Sequence, residues 1–169
     1  MAHLVLIPLD GSKVAEEAIS YVMALLPPEI TEIHLLTVLP ELERLNHIVQ
    51  FAVINQQLEE VSKITRKQQE QYTRAYLDMV AWNLEDTGYN VTTHLMYGQP
   101  ADGIVRMAQA LKVDLIVMTS HGRGGNPLWR YGSVAERVLE ASESPVLIIP
   151  VRDALRTAQE IPEESEMAV

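Results

Sequence analysis

Hydrophobic positions along the chain follow two alternating rhythms. Five short runs rich in Val, Leu and Ile, at His3 to Leu9, Glu32 to Val38, Asn90 to Tyr97, Val113 to Thr119 and Pro145 to Val151, have the length and branched composition of strands. Four are almost continuously apolar, as strands covered on both faces are, while Asn90 to Tyr97 alternates and is expected at a sheet edge. Between the runs, apolar residues recur at helical spacing. Ala15, Ala18, Ile19, Val22, Leu25 and Leu26 form one stripe, stopped by Pro27-Pro28. A long helix is expected over Gln56 to Thr87, with a stripe through Leu58, Val61, Ile64, Tyr72, Tyr76, Met79, Val80 and Leu84 and with Gly88 as its cap. A third helix starts with Pro100 at its first position and carries Ile104, Val105, Ala108 and Leu111; a fourth runs from Ser133 to Ala141.

Strands alternating with helices specify an α/β fold with right-handed crossovers. The expectation is a single doubly wound domain over residues 1–151, a five-stranded, mainly parallel sheet in the order 3-2-1-4-5 with helices on both faces. Two segments break the rhythm. The connection Pro40 to Asn55 contains the apolar stretch Ile48 to Ile54, read as a helical start packed on the core, with a lid or a partner surface as the alternative. Arg152 to Val169 is acidic and poor in apolar residues, and is expected to be a flexible, solvated tail.

Composition removes several classes. The 169 residues, 47% of them hydrophobic, suffice for one core. A formal net charge of -10 repels polyanions, so nucleic acid is not an expected partner. The absence of cysteine excludes a disulfide scaffold, an iron–sulfur cluster and a cysteine nucleophile. No apolar run approaches the roughly 20 residues of a membrane helix, and the start of the chain lacks the basic region of a signal peptide. A cytoplasmic protein with no membrane association is expected.

Ligands of open parallel sheets bind beyond the carboxyl ends of the strands, where the strand order reverses. Two strand ends stand out: Pro8-Leu9-Asp10-Gly11-Ser12 after the first, and Thr119-Ser120-His121-Gly122-Arg123-Gly124-Gly125 after the fourth. In the order 3-2-1-4-5 these are neighbours. A glycine-rich stretch leading to Gly132-Ser133 at a helix start supplies backbone N–H groups and a favourable dipole for a phosphate chain. Arg123, Arg130 and Arg137 against Glu136 make this stretch locally positive. Plainer readings exist: Ser133 and Glu136 have capping-box spacing, and Asp10 suits a simple Asp-Gly-Ser turn. A Walker loop is missing, since no lysine follows Lys112, and neither a dinucleotide fingerprint nor a metal-ligand spacing is present.

Over residues 1 to 151 the chain resembles the universal stress protein family. The resemblance rests on Val5-Leu6-Ile7-Pro8-Leu9-Asp10-Gly11-Ser12 and on Val117-Met118-Thr119-Ser120-His121-Gly122-Arg123-Gly124-Gly125 followed by Gly132-Ser133-Val134-Ala135-Glu136-Arg137-Val138. Gly122, nine residues and Gly132-Ser133 match the pattern of the nucleotide-binding members, with Thr119 where that pattern has its first glycine. The resemblance implies that Pro8 and Asp10 lie beside an adenosine, Asp10 accepting from a ribose hydroxyl, and that the backbone of Val38 meets the adenine. It also implies that Met118 and Thr119 floor the site, that the loop His121, Gly122, Arg123 and Gly125 wraps the phosphates, and that Gly132, Ser133 and Val134 close on them. The ligand so implied is ATP, AMP or ADP, with or without Mg. A homodimer through Pro145 to Val151 is expected, because this most apolar segment would otherwise be an open sheet edge. No acid, base or nucleophile is placed for turnover, so a nucleotide-responsive signalling module with at most slow ATP hydrolysis is expected. A slow ATPase or nucleotide-transfer enzyme using Asp10 and a nucleotide-independent scaffold for another protein are the alternatives.

Overall fold

The computed structural model describes residues 2–41, 55–122 and 131–151. The elements run in the order β1 (His3–Pro8), α1 (Lys13–Leu25), a 3-10 turn (Pro28–Ile30), β2 (Thr31–Leu39), α2 (Asn55–Glu85), β3 (Asn90–Tyr97), α3 (Pro100–Leu111), β4 (Leu115–Thr119), α4 (Ser133–Ala141) and β5 (Val146–Ile149). They build a five-stranded sheet in the order β3-β2-β1-β4-β5. Every pairing is parallel; Val5 of β1 lies opposite Ile33 of β2 on one side and Leu115 of β4 on the other. The expected order and helix-covered faces are thus found.

Strand alternation divides the core in two. On one face Val5, Ile7, Ile33, Leu35, Val117 and Ile149 pack under α1 and α2. On the other, Leu6, Leu36, Ile116 and Met118 pack under α3 and α4. The three interior strands β2, β1 and β4 carry buried residues on both faces, hence their continuous apolar runs.

The expected stripe of α2 is corrected. Its buried residues are Thr73, Leu77, Val80, Ala81 and Leu84, whereas Ile64, Met79 and Tyr72 are exposed, the last at 77%. Positions 73, 77, 80 and 84 share one side of a helix with 3.6 residues per turn, and Tyr72 and Met79 fall about 100° off it. The side chains of Leu58 and Val61 lie outside the described residues. Tyr76 sits half-buried at the margin, its hydroxyl donating to Glu16 Oε1 at 3.1 Å. Leu25 of the α1 stripe is also exposed. Gly88 ends α2 in the left-handed region, φ 94°, as its cap role requires. The segment Ile48 to Ile54 and the tail from Arg152 lie outside the described residues.

Candidate functional site

The chain winds from β1 through α1 to β2 on one side and returns through α3 to β4 on the other, so the carboxyl ends of β1 and β4 diverge and leave a crevice. A cavity of about 350 Å³ occupies it, within the usual range of small-molecule sites. One end is apolar, formed by Pro8, Leu36, Val38, Ile104 and Met118; the other is polar, formed by Asp10, Thr119 to Gly122, Gly132 and Ser133. Of the residues named from the sequence, Pro8, Asp10, Val38, Met118, Thr119, His121, Gly122, Gly132, Ser133 and Val134 line the cavity. Sequence reasoning missed Leu36, Pro100, Ile104 and Ser120, which also line the cavity. The signal for Pro100 and Ile104 was topological: the crossover from β3 to β4 must pass over β2, which carries the first turns of α3 across the crevice.

At the apolar end α3 lies unusually close to β2. A Cβ built on Gly103 would stand 2.8 Å from Cγ2 of Val38, so the helix approaches only because residue 103 has no side chain. Buried Thr37 donates to the Leu9 carbonyl at 2.9 Å, which fixes the chain as it leaves β1.

At the polar end two helix N-termini converge. Asp10 Oδ1 accepts from the backbone N–H of Ser12 at 2.9 Å and from its hydroxyl at 2.6 Å. Ser12, the N-cap of α1, accepts in turn from the Ala15 N–H at 3.2 Å. Gly11 takes φ 79°, which a side chain there would resist. The turn reading of Asp10 therefore holds for one carboxylate oxygen. The other is directed at Gly122, where an added Cβ would collide with it.

The N-terminus of α4 is built differently. Its N-cap is Gly132, whose N–H donates to the Ser120 carbonyl at 2.7 Å. Ser133 is the first helical residue and not the cap, so the capping-box reading is corrected: the Ser-x-x-Glu spacing begins one residue too late to close the helix. Residues 133, 134 and 135 line the cavity, and N–H groups of a first turn have no acceptor within their own helix. The helix dipole adds a partial positive charge at the same place.

Thr119, standing where the family pattern has glycine, is buried, and its hydroxyl is folded back onto the His121 carbonyl at 2.8 Å. His121 pairs through Nδ1 with Ser120 Oγ at 3.1 Å, and its Nε2 is buried with no hydrogen-bond partner. Because Nε2, the nitrogen that would face a triad serine, makes no hydrogen bond to Ser133, no serine–histidine couple is formed among the described residues. Arg123 and Gly125, both expected at the phosphates, lie outside the described residues. Arg137 is exposed and pairs with Asp102 at 2.9 Å, so it stands apart from the cavity lining.

A second polar feature lies away from the cavity, on β2 and β3. His34 Nδ1 and His94 Nε2 are 2.8 Å apart, and Glu32 Oε1 stands 3.4 Å from His34 Nε2. Burial, and then the neighbouring His34, lowers the His94 pKa from its usual 6.5. Among the described residues no group of His, Cys, Asp or Glu is arranged to hold a metal ion, and no helix is long and apolar enough to cross a membrane.

These features define a doubly wound α/β protein with a ligand-sized crevice at its switch point. The model of the universal stress protein family matches residues 1–150, and the chain belongs to that family. It is 30% identical over 154 residues to universal stress protein MJ0577 of Methanocaldococcus jannaschii, covering 88% of this chain and 95% of that one. The solved MJ0577 structure matches with a TM-score of 0.78 at 28% identity, over 91% of this chain and 99% of that one. The fold is shared with a universal stress protein in complex with cAMP, at TM-score 0.59 and 19% identity over 88% of this chain and 97% of that one. It is also shared with an Arabidopsis thaliana family protein with AMP bound, at TM-score 0.64 and 17% identity over 94% and 97%.

Proposed function

We propose that this chain binds an adenine nucleotide, ATP above all, in the crevice between β1 and β4, and acts in the cytoplasm as a nucleotide-responsive module of its family. The observation that carries the reading is the N-terminus of α4, capped by a glycine and facing a cavity whose far end is an apolar slot. A ligand with a flat, weakly polar ring at one end and an anionic chain at the other fits both ends at once. Adenine would lie between Val38, Ile104 and Met118, the ribose beside Asp10, and the phosphates at Gly122, Gly132, Ser133 and Val134. The relatives with cAMP and AMP support the same ligand class. A magnesium ion would rest on the phosphates, with Asp10 the carboxylate nearest to them in the cavity lining. In this reading any ATP hydrolysis is slow.

Isothermal calorimetry on the full-length protein tests this. ATP should bind with a dissociation constant on the order of micromolar, about -8 kcal/mol. No heat and no thermal shift with ATP, ADP or AMP at millimolar concentration would remove the reading.

The dimer expected through Pro145 to Val151 belongs with this proposal. β5 is an edge strand whose Val146, Leu147 and Ile148 are only half-buried. Ile149, at 2% exposure, is part of the core, so of the four residues of β5 the first three are those whose side chains can answer to a partner. Light scattering should give a dimer for the wild type and for the chain without residues 153–169, and a monomer for Leu147→Lys. A dimer indifferent to Leu147→Lys would take β5 out of the interface.

A further inference from the structure

Ser120, absent from the residues that the sequence assigned to the site, has every polar atom engaged. Its N–H donates to the Ile149 carbonyl at 2.8 Å and its carbonyl accepts from Gly132 N–H at 2.7 Å. Its hydroxyl oxygen accepts from the Val151 N–H at 3.1 Å and lies 3.1 Å from His121 Nδ1. The residue is only 4% exposed. It therefore joins the end of β4, the end of β5, the cap of α4 and the imidazole of His121.

The hydroxyl fixes a proton. A backbone N–H can only donate, so Val151 occupies a lone pair of Ser120 Oγ, and the hydroxyl hydrogen needs an acceptor elsewhere. His121 Nδ1 is the acceptor the geometry offers. With the hydroxyl hydrogen donated to Nδ1, that nitrogen carries no hydrogen and the neutral ring holds its proton on Nε2. That nitrogen is buried and has no acceptor. Its place is informative, because the adjoining ring carbon Cδ2 lies 3.6 Å from where a Cβ on Gly132 would stand. His121 Cδ2 thus borders the N-terminus of α4, and His121 is itself one of the residues that line the cavity.

We propose that Ser120 is a positioning residue of the crevice: its hydroxyl holds the His121 imidazole in the tautomer protonated on Nε2, so that the ring adds a side-chain donor to the N–H groups at the start of α4. The ligand consequence rests on the nucleotide reading above: an anionic oxygen seated at α4 supplies the acceptor that Nε2 lacks. The tautomer itself does not depend on that reading.

Two measurements on the full-length protein separate these parts. Long-range proton–nitrogen NMR of the nucleotide-free protein should show the proton of the neutral His121 ring on Nε2. In Ser120→Ala that preference should be lost, and in Ser120→Thr, which keeps the hydroxyl, it should return. A proton on Nδ1 in the wild type, or an unchanged tautomer in Ser120→Ala, overturns the proposal. Calorimetry should then show ATP binding weakened about tenfold in Ser120→Ala, with adenosine affinity unchanged because adenosine has no phosphate. Should Ser120→Ala not fold, His121→Gln, which keeps a nitrogen donor near the Nε2 position, should bind ATP better than His121→Leu by a similar factor. Equal ATP affinity in both members of either pair separates the tautomer from the site and overturns the ligand part. A wild type that binds neither ATP nor adenosine overturns the nucleotide reading, while the NMR result still decides the role of Ser120.

Discussion

α1 and α4 begin at the same edge of the sheet, on either side of the crevice, and satisfy their first turns in opposite ways. α1 is closed from within: Asp10 holds Ser12, and Ser12 holds Ala15. α4 begins at a glycine that has no side chain to offer. The difference teaches what a helix start is for in each place. A side-chain cap occupies one of the first-turn donors, and its loss to alanine costs about 1 kcal/mol; a glycine cap gives up only a few tenths of a kcal/mol and leaves that donor available to a ligand. Changes at α1 should therefore register in stability, and changes at α4 in binding.

The largest effect that would break or bear out this contrast is at Gly132. Its φ of −72° is ordinary for any residue, but a Cβ would stand 3.3 Å from the Ser120 carbonyl, at the place proposed for the phosphates. Gly132→Val should lower ATP affinity at least about 100-fold, or ~2.7 kcal/mol, while circular dichroism shows a folded protein. Undiminished ATP binding by the folded variant would mean that α4 is not the open end.

The apolar end sharpens the contrast, because it is blind to phosphate. Gly103→Ala should push Val38 into the cavity, since the helix and sheet cannot separate as easily as a cavity-lining side chain can move. The expected result is a fall of about tenfold, ~1.4 kcal/mol, for adenosine and ATP alike. Calorimetry that finds only ATP weakened would place the ring elsewhere.

Ser12→Ala is the converse test. Urea unfolding should show a loss of about 1 kcal/mol, with ATP affinity unchanged within error. A large loss of affinity would show that α1 also serves the ligand directly.

The smallest effect lies outside both helix ends. The folded pKa of His94 lies below its usual 6.5, so as pH falls through 6.5 the unfolded chain takes up the proton before the folded one does. Stability should be complete above that value, decline as pH falls below it, and level off beneath the folded pKa. In His94→Gln this part of the pH dependence should vanish from the urea midpoints, and ATP affinity at pH 7.5 should not change.

Much of the architecture was legible because a doubly wound sheet writes itself in long periods. Central strands buried on both faces gave unbroken Val, Leu and Ile runs, and the switch point followed from strand order. The α2 stripe misled, because Tyr72 and Met79 are apolar yet exposed, while Thr73 is buried. At the site, glycines and strand ends could be read locally. Ser120 could not, since its partners Gly132, Ile149 and Val151 are distant in sequence and meet it only once β4 and β5 are paired.

The collision awaiting any side chain at Gly122 has an evolutionary reading. Asp10 cannot swing aside to make room without releasing Ser12, so a substitution at 122 would also undo the start of α1, more than a hundred residues earlier in the chain. The two positions are not free to drift separately. Gly122→Ala should be damaging in the present background and nearly silent in Asp10→Gly, an epistasis that confines lineages keeping the acid to glycine at position 122.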